Sequence, residues 1–425
     1  MTAAELKNVI RSNEFKDKLL DIYEDPSMIG PQADRYEKAV DSFVKLFGDG
    51  DISIFSAPGR TEVAGNHTDH QHGKVLAASL NLDVIGVVRK TDDNVITLKS
   101  EGYSKDVVDI SALEPSEAEQ GTSAALIRGV ASALHDTGAA VGGFTAYTTS
   151  DVLQGSGMSS SAAFEVLVGN ILFGLYNEGQ PDSIEIAKAS QIAENRFFGK
   201  PSGLLDQMAC SVGGLVNIDF EDPSDPKVHR VDADFSKFGH SLCITDTKGS
   251  HADLTPDYAA VPQEMKSVAA AFDKKFLREV DYERFLESIP ALRRTLGDRP
   301  VLRAIHFFEE EERVDKDVKA LEEGNFDTFL EGIRDSGNSS AKYLQNVYSL
   351  HKQNEMSISV ALAASDAVLG NRGASRVHGG GFAGTIQAFV PDDKVEEYRR
   401  MQDNIFGEGS CHVLKVRKYG GMKVL

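Results

Sequence analysis

The sequence contains no tryptophan, and its three cysteines, Cys210, Cys243 and Cys411, stand far apart without a C-x-x-C pair. This pattern indicates reduced, mostly buried thiols rather than a disulfide framework. Apolar runs of about 20 residues, which a membrane-spanning helix needs, are also missing. The N-terminal stretch MTAAELKNVIRSNEFKDKLL is charged and amphipathic, unlike a secretory signal. We therefore expect a soluble, cytoplasmic protein.

Acidic residues outnumber basic ones, since the sequence has 65 aspartates and glutamates and 45 lysines and arginines. The formal net charge is −20. This deficit of basic residues argues against nucleic acid and against anionic membranes as partners. An anionic ligand must therefore be held by local features of the chain. The length of 425 residues suits two or three domains at about 150 residues each.

The spacing of apolar residues predicts a mixture of helices and strands. Residues 1–47 have helical spacing, interrupted between Pro26 and Pro31. Strands are expected at 52–57, 83–90, 142–150, 213–220, 384–390 and 411–417. Further helices are expected at 160–176, 183–198, 257–273, 276–288, 301–321, 325–349 and 353–369. The acidic run Glu309–Glu312 is interpreted as a solvated helix face.

The stretch VLQGSGMSSSAAFEV (152–166) places two glycines and a run of three serines at the entry to a predicted helix, but it lacks the lysine of a P-loop. Unpaired backbone N–H groups and the helix dipole favour an anion at such a helix N-terminus. A phosphate site of this design needs Mg²⁺ and cationic side chains from elsewhere in the chain to neutralise the phosphates. The alternative is a serine-capped helix with a flexible entry.

The stretch APGRTEVAGNHTDHQHGKVL (57–76) concentrates arginine, asparagine, aspartate and histidines in a loop after a strand. Three interpretations stay open from these residues alone. The histidines and the aspartate are ligand types of zinc. The same groups suit a loop that binds sugar hydroxyls. They also suit a polar surface turn.

Two further stretches carry chemistry. GKPSGLLDQMAC (199–210) contains a single acid, Asp206. This residue is either a helix cap or a functional carboxylate that acts as a base or orients a reacting group. Glu194, on the preceding predicted helix, could supply a metal ligand. GNRGASRVHGGGFAGTIQAFV (370–390) has five glycines within 373–384, which permit close backbone approaches. A lipase-type oxyanion loop is excluded, because no G-x-S-x-G motif follows.

Together these stretches resemble the GHMP small-molecule kinases, and within them the galactokinases, from about residue 41 onward. The sugar signature G-R-x-N-L-I-G-E-H-x-D-Y-x-x-G-x-V-L is similar to APGR…GNHTDHQHGKVL, and LQGSGMSSSAA matches the phosphate loop. AENRFFGKPSGLLDQ resembles A-E-x-x-F-x-G-x-x-x-G-x-x-D-Q, and GASRVHGGGFAGT resembles the closing glycine motif. RAIHFFEEEERV is similar to the family's R-A-x-H-V-x-x-E helix.

The resemblance implies an α+β, two-lobed GHMP kinase fold with the active site in the interlobe cleft. It divides the chain into a helical N-terminal extension at 1–40, an N-terminal kinase domain at 41–228 and a C-terminal kinase domain at 229–425. The implied reaction transfers a phosphoryl group from ATP to the anomeric hydroxyl of galactose, with Mg²⁺ as cofactor. A small sugar is then the substrate, and the protein is a monomer or a homodimer.

The resemblance also assigns residues to roles. Asp206 and Arg60 are the catalytic pair, with Arg60 keeping the acid ionised. The expected sugar-binding residues are Asn66, His67, Asp69 and Tyr258. The expected ATP-binding residues are Gly155, Ser156, Gly157, Met158, Ser159, Ser160, Ser161, Gly379, Gly380 and Gly381. Ser160, Ser161 and Glu194 are the expected Mg²⁺ ligands.

The sugar loop departs from the family pattern. Asn66 stands where galactokinases usually carry a glutamate, His70 replaces the usual tyrosine, and TEVAG replaces N-L-I-G. We expect the Asn66 amide to bond the neutral 6-hydroxyl of galactose, since an amide both donates and accepts. The DHQ triplet also resembles galacturonate kinases, so a galacturonate kinase is one alternative. A non-catalytic sugar-sensing relative is the other, and a zinc hydrolase using the histidines is a weaker third.

Overall fold

The computed structural model describes residues 1–152, 157–250 and 253–425. The α-helices of these residues are α1 (Ala3–Ile10), α2 (Asn13–Tyr23), α3 (Ile29–Phe47), α4 (Ser123–Asp136), α5 (Ser160–Tyr176), α6 (Ser183–Ile192), α7 (Leu205–Val212), α8 (Thr255–Ala270), α9 (Tyr282–Leu296), α10 (Asp298–Glu322), α11 (Phe326–Ser339), α12 (Ser357–Leu369) and α13 (Val395–Phe406). The strands are β1 (Ser53–Ala64), β2 (Lys74–Lys90), β3 (Val95–Ser100), β4 (Lys105–Asp109), β5 (Phe144–Ser150), β6 (Leu215–Asp219), β7 (Lys227–Val231), β8 (His240–Asp246), β9 (Ala374–His378), β10 (Thr385–Pro391), β11 (Cys411–Leu414) and β12 (Met422–Lys423).

The strands form two sheets. The larger has the order β12-β1-β2-β5-β3-β4, and β6 and β7 extend it from the other end of β2. Its pairings are antiparallel except for β3 with β5. The smaller sheet has the order β11-β8-β10-β9 and is antiparallel. Helices pack on both sheets, which confirms the α+β prediction.

The two faces of the larger sheet contribute to separate apolar cores, because successive side chains of a strand point to opposite sides. Phe55 and Val84 face the core that includes α4 and α5. Ile54 and Ile85 face the other core, which α1, α2 and α3 complete. The N-terminal helices thus cover a sheet face that would otherwise be exposed. The helical prediction for residues 1–47 is confirmed, and α3 continues to Phe47, beyond the expected end of the extension at 40.

A buried charge fixes the N-terminal helices to the sheet. The carboxylate of Asp83, on β2, is fully buried and accepts from Arg35 at 2.7 Å, Arg417 at 3.0 Å and the Tyr23 hydroxyl at 2.9 Å. Burial alone would raise the pKa of Asp83, but the two arginines reverse this effect and hold it below its ordinary value. Arg35 also pairs with Asp151 at 2.9 Å, at the end of β5.

The sequence predictions hold best for long periodic segments. Helix α5 occupies the predicted 160–176, and the predicted helix at 183–198 is α6 followed by a π-helical turn over Ala193–Phe198. The helix predicted at 276–288 begins later, at Tyr282, where α9 starts, and a short 3₁₀ turn over Leu277–Glu279 precedes it. The three cysteines are buried and free, as expected. None of the described helices is long and apolar enough to cross a membrane.

The interpretation of Glu309–Glu312 as a solvated face holds for Glu312, which is exposed, but is wrong for Glu310 and Glu311. Glu310 is fully buried on α10, where it contacts Arg313 and accepts from the backbone N–H of Gly65 at 3.2 Å. Arg313 in particular lowers its pKa to about 2, against the opposing effect of burial. Glu311 accepts from the backbone N–H of Lys74 and from Arg278. The acidic run therefore holds both ends of the 65–74 loop.

The buried Asp83 network predicts a large loss of stability for Asp83→Asn. The substitution leaves Arg417, which is fully buried, without its counter-charge, and we expect a loss of about 3–5 kcal/mol of unfolding free energy. Urea unfolding followed by circular dichroism measures the loss. Asp41→Asn is the matched control, because the Asp41 carboxylate is 65% exposed in its pair with Lys7. The control should cost at most about 1 kcal/mol, and equal losses for the two variants would contradict the prediction.

Candidate active site

Arg60 and Asp206 form an ion pair at the centre of the site. Arg60 lies near the end of β1 and Asp206 in the first turn of α7. The Nε and Nη2 atoms of Arg60 lie 2.7 and 2.6 Å from Oδ1 of Asp206. Burial would raise the pKa of Asp206, but Arg60 and a hydrogen bond from Ser159 hold it below its ordinary value. The half-buried carboxylate is therefore ionised and oriented.

The same pair holds the C-terminal end of the predicted phosphate loop. Arg60 donates from its side chain to the carbonyl of Gly157 and from its backbone N–H to the carbonyl of Met158 at 3.2 Å. The Ser159 hydroxyl donates to Oδ2 of Asp206, and Ser160 begins helix α5. The N-terminus of α5, with its unpaired N–H groups, thus lies beside the ion pair. The predicted ATP-binding residues Gly155 and Ser156 lie outside the described residues.

Glu194, the predicted metal ligand, lies in the π-helical turn after α6 and points toward α5. Its Oε1 is 2.6 Å from the Lys200 ammonium and 3.4 Å from the Ser161 hydroxyl. Its Oε2 accepts from Gln207 at 2.9 Å, and Gln207 also donates to buried Glu165 at 3.2 Å. Burial and the charge of Glu194 raise the pKa of Glu165 well above its ordinary value.

This set of oxygens fits Mg²⁺. Ser161 and Glu194 offer a hydroxyl and a carboxylate, and Glu165 has a buried Oε1 without a hydrogen-bond partner. Within the described part of the chain, no group of three or more His, Cys, Asp or Glu side chains could hold a metal ion. Mg²⁺ does not require such a cage, because it commonly binds one or two carboxylates together with substrate phosphates and water.

The predicted sugar loop folds against the loop that precedes Asp206. Asp69 is half-buried, and a Cβ atom on Gly203 would lie 1.9 Å from its Oδ2, so only glycine allows this approach. Burial, with the charges of Glu62 and Asp206, raises the pKa of Asp69 to about 7. The loop thus places a second carboxylate within electrostatic reach of Asp206.

The glycine turn at 379–381 closes the other side of the sugar loop. Asn66 donates to the backbone carbonyl of Gly379 at 2.8 Å. The Nε2 atom of His67 contacts the carbonyl oxygen of Gly380 at 3.0 Å. The Tyr258 hydroxyl donates to the carbonyl of Gly381 at 2.8 Å. Each consecutive carbonyl therefore meets one predicted sugar-binding residue. The turn was expected among the ATP-binding residues, and in the structure its carbonyls contact the sugar loop.

The Asn66 side chain has a different setting from the one expected. It is fully buried, and its amide nitrogen donates to Glu62 as well as to Gly379, both at 2.8 Å. Its amide oxygen accepts from Asn346 at 2.8 Å. Because both N–H groups are in use, Asn66 has no free donor for a sugar hydroxyl in this conformation. The buried amide instead joins the sugar loop to the glycine turn.

The loop histidines do not converge on one point. Nδ1 of His67 contacts Nε2 of His70 at 3.2 Å, whereas the ring of His72 stacks on Phe276 with centroids 3.6 Å apart. Burial lowers the pKa of His67, and it lowers that of His70 well below the ordinary value. The geometry gives no support to the zinc interpretation.

Sequence reasoning missed several residues of the site. These are Lys200, Glu165 and Gln207 around Glu194, and Glu62, Arg376, His306 and Asn346 around Asn66. Lys200, Gln207 and His306 stand inside the stretches that carry the resemblance, so their position was a usable signal. Arg376 also stands in such a stretch, GASRVHGGGFAGT, whereas Asn346 lies in a segment that no local pattern marks.

Comparisons with known proteins agree with this geometry. Residues 41–90 match the model of the galactokinase galactose-binding signature, and residues 125–214 match that of the GHMP kinases N terminal domain. A galactokinase of Actinobacillus pleuropneumoniae is 31% identical over 349 residues, which cover 81% of this chain and 87% of the relative. A galactokinase of Clostridium tetani (strain Massachusetts / E88) is 27% identical over 370 residues, covering 86% and 91% of the two chains.

Solved structures show the same fold. The crystal structure of Lactococcus lactis galactokinase complexed with galactose aligns with a TM-score of 0.77 and 25% identity, covering 90% of this chain and 98% of that one. The mevalonate kinase of Methanococcus jannaschii aligns with a TM-score of 0.61 at 14% identity, covering 86% and 99%, and shares the fold alone. On these matches, with which the meeting of the predicted phosphate and sugar loops at Arg60 and Asp206 agrees, the chain belongs to the galactokinase family of GHMP kinases.

Proposed function

We propose that the protein phosphorylates the anomeric hydroxyl of galactose, with ATP as the donor and Mg²⁺ as the cofactor. The observation that carries the proposal is the Arg60–Asp206 pair, which contacts the phosphate loop through Gly157 and Ser159. The sugar loop lies near the same pair, because Asp69 packs against Gly203, three residues before Asp206. A hydroxyl placed beside Asp206 would therefore face a phosphoryl group held at the N-terminus of α5.

Asp206 orients the reacting hydroxyl. A carboxylate whose pKa is held low is a weak base, so it accepts the proton only as the bond to phosphorus forms. Arg60 keeps this carboxylate ionised and adds positive charge beside the transferred group. Such a site acts by positioning and electrostatic stabilisation, which suits phosphoryl transfer.

The nucleotide side of the proposal uses the N-terminus of α5. Its N–H groups, together with Gly157, Met158 and the serines at 159–161, bind phosphate oxygens. Ser160, Ser161 and Glu194 hold Mg²⁺, with Glu165 close by. When bound, the ion neutralises phosphate charge and fixes the position of the phosphates.

The sugar side uses His67, Asp69 and Tyr258, with the turn at 379–381 behind them. Asn66 acts through its contacts with Glu62 and Gly379 and positions the loop. Galactose is favoured over galacturonate, because a buried 6-carboxylate needs a cation. Arg376 is already paired with Glu62 at 2.7 Å, and Asp69 adds negative charge when it ionises.

An ADP-release assay tests this function. The purified protein is given Mg·ATP and galactose, galacturonate, glucose, N-acetylgalactosamine or arabinose. We expect galactose to give the highest kcat/KM. Faster turnover of galacturonate would favour the uronate kinase, and galactose binding without ADP release would favour the sugar sensor.

Asp206→Asn is the catalytic variant in this assay. Loss of the orienting carboxylate should lower kcat roughly 100-fold or more while ATP affinity stays nearly unchanged. Asp222→Asn is the control, because this exposed carboxylate binds only its own turn at Ser224. Comparable activity of the two variants would remove Asp206 from the mechanism.

The raised pKa of Asp69 predicts a pH dependence. The ionised carboxylate accepts hydrogen bonds from sugar hydroxyls, and it forms as the pH rises through about 7. We expect kcat/KM for the sugar, at saturating Mg·ATP, to rise about tenfold from roughly pH 6 to 8, since kcat/KM reports ionisations of the free enzyme. Asp69→Asn should flatten this profile, and an unchanged profile in the variant would contradict the role.

The family motif has asparagine at the position of Glu62 and glutamate at that of Asn66, so this chain exchanges the two residues. Asn66→Glu alone would place a second carboxylate near Oε1 of Glu62, which now lies 2.8 Å from the amide nitrogen of Asn66. We expect this variant to lose stability and activity. Glu62→Asn/Asn66→Glu should recover about 1–3 kcal/mol of the loss in unfolding free energy, as coupling in a double-mutant cycle. Additive effects in urea unfolding would show that the two positions are independent.

A further inference from the structure

Lys200 is a cation at the nucleotide side of the site that none of the proposed roles uses. It lies between the π-helical turn and α7, and its side chain is 57% exposed. Its ammonium lies 2.6 Å from Oε1 of Glu194. Its backbone N–H donates to the carbonyl of the same Glu194 at 3.0 Å. The backbone bond keeps Lys200 near Glu194 even when the side chain changes rotamer.

The ammonium also lies beside the phosphate-binding end of α5. Oε1 of Glu194 is contacted by Lys200 and, at 3.4 Å, by the hydroxyl of Ser161. Because the Lys200 ammonium and the Ser161 hydroxyl contact the same oxygen atom, they lie close to each other. Ser161 belongs to the first turn of α5. A phosphate at this helix N-terminus would therefore lie within reach of a flexible lysine.

Two ion pairs of the site are balanced before any ligand binds. Arg60 offsets Asp206, and Lys200 offsets Glu194. A divalent cation bound to Glu194 would take over the oxygen that the ammonium contacts and would release Lys200 next to the phosphates. The exposed, mobile ammonium suits such a transfer, because lysine is a compact point charge on a flexible stem.

We propose that Lys200 is an exchangeable cation, which pairs with Glu194 in the free protein and turns to the nucleotide phosphates when Mg²⁺ occupies Glu194. The inference rests on the proposed function. In this role Lys200 supplies, from a separate segment, the positive charge that the phosphate loop lacks. The family motif leaves this position open.

Lys200→Met tests the exchange by equilibrium binding of ADP, measured by isothermal titration calorimetry with saturating Mg²⁺ and again with EDTA. With Mg²⁺ we expect at least about tenfold weaker binding than in the wild type, because a charge-assisted contact with phosphate is lost. With EDTA we expect ADP affinity to fall by less than about threefold, because Lys200 then remains paired with Glu194. Lys200→Arg should bind more tightly than Lys200→Met, and galactose affinity should not change.

Lys188→Met is the matched control, since its ammonium pairs with Glu185 at 3.4 Å on α6. It should bind ADP like the wild type under both conditions. Unchanged ADP affinity of Lys200→Met in Mg²⁺, or equal losses in Mg²⁺ and EDTA, would overturn the exchange. Absence of ADP binding to the wild type would instead count against the proposed function itself.

Discussion

The contact between Arg60 and Asp206 is the constraint on which the site depends. Arg60 lies in β1, Asp206 lies in the first turn of α7, and the pair also holds Gly157 and Ser159 just before α5. Three segments that are distant in sequence therefore meet at one half-buried carboxylate. Its ionisation, its orientation and the position of the phosphate loop have the same cause. A change to Arg60, which contacts both Asp206 and Gly157, would alter all three at once.

Buried charge recurs in the parts of the fold that set this geometry. Asp83 fixes the N-terminal helices, Glu310 fixes the start of the sugar loop, and Glu62 joins Asn66 to Arg376. Such pairs are costly to desolvate and add little net stability compared with apolar packing. They do impose specific distances, and each of these three joins segments that are distant in sequence. The chain thus uses ionic contacts for placement more than for stability.

The sequence allowed the fold class, the long helices and the family to be predicted, because periodicity and ordered motifs are local signals. Helix α5 was predicted with its observed limits, whereas β3, β4, β7, β8 and β9 were missed, since the apolar pattern of a short strand is weak and its stability depends on packing within the sheet. The burial of Glu310 could not be predicted for a similar reason, because Ser336 and Gly65 lie on other elements.

The residues of the candidate site divide in the same way. Arg60, Asp206, Ser161 and Glu194 stand in recognisable motifs, and the structure brings them together. The saturated hydrogen bonds of Asn66 depend on Asn346, which no motif connects to the sugar loop. Residue type indicated what Asn66 can bond, and only the fold shows what it does bond.

The pairing of β12 with β1 at the edge of the larger sheet has a consequence for the order of folding. Lys18 donates to the carbonyl of Val424, 406 residues along the chain, and Arg417 reaches Asp83 across 334 residues. Contacts of such separation form late, because the entropy of closing the intervening chain must be overcome first. While the chain is being synthesised, the outer edge of β1 stays unpaired and Asp83 lacks Arg417. The sheet that carries Arg60 is therefore completed only when the last strand has emerged from the ribosome.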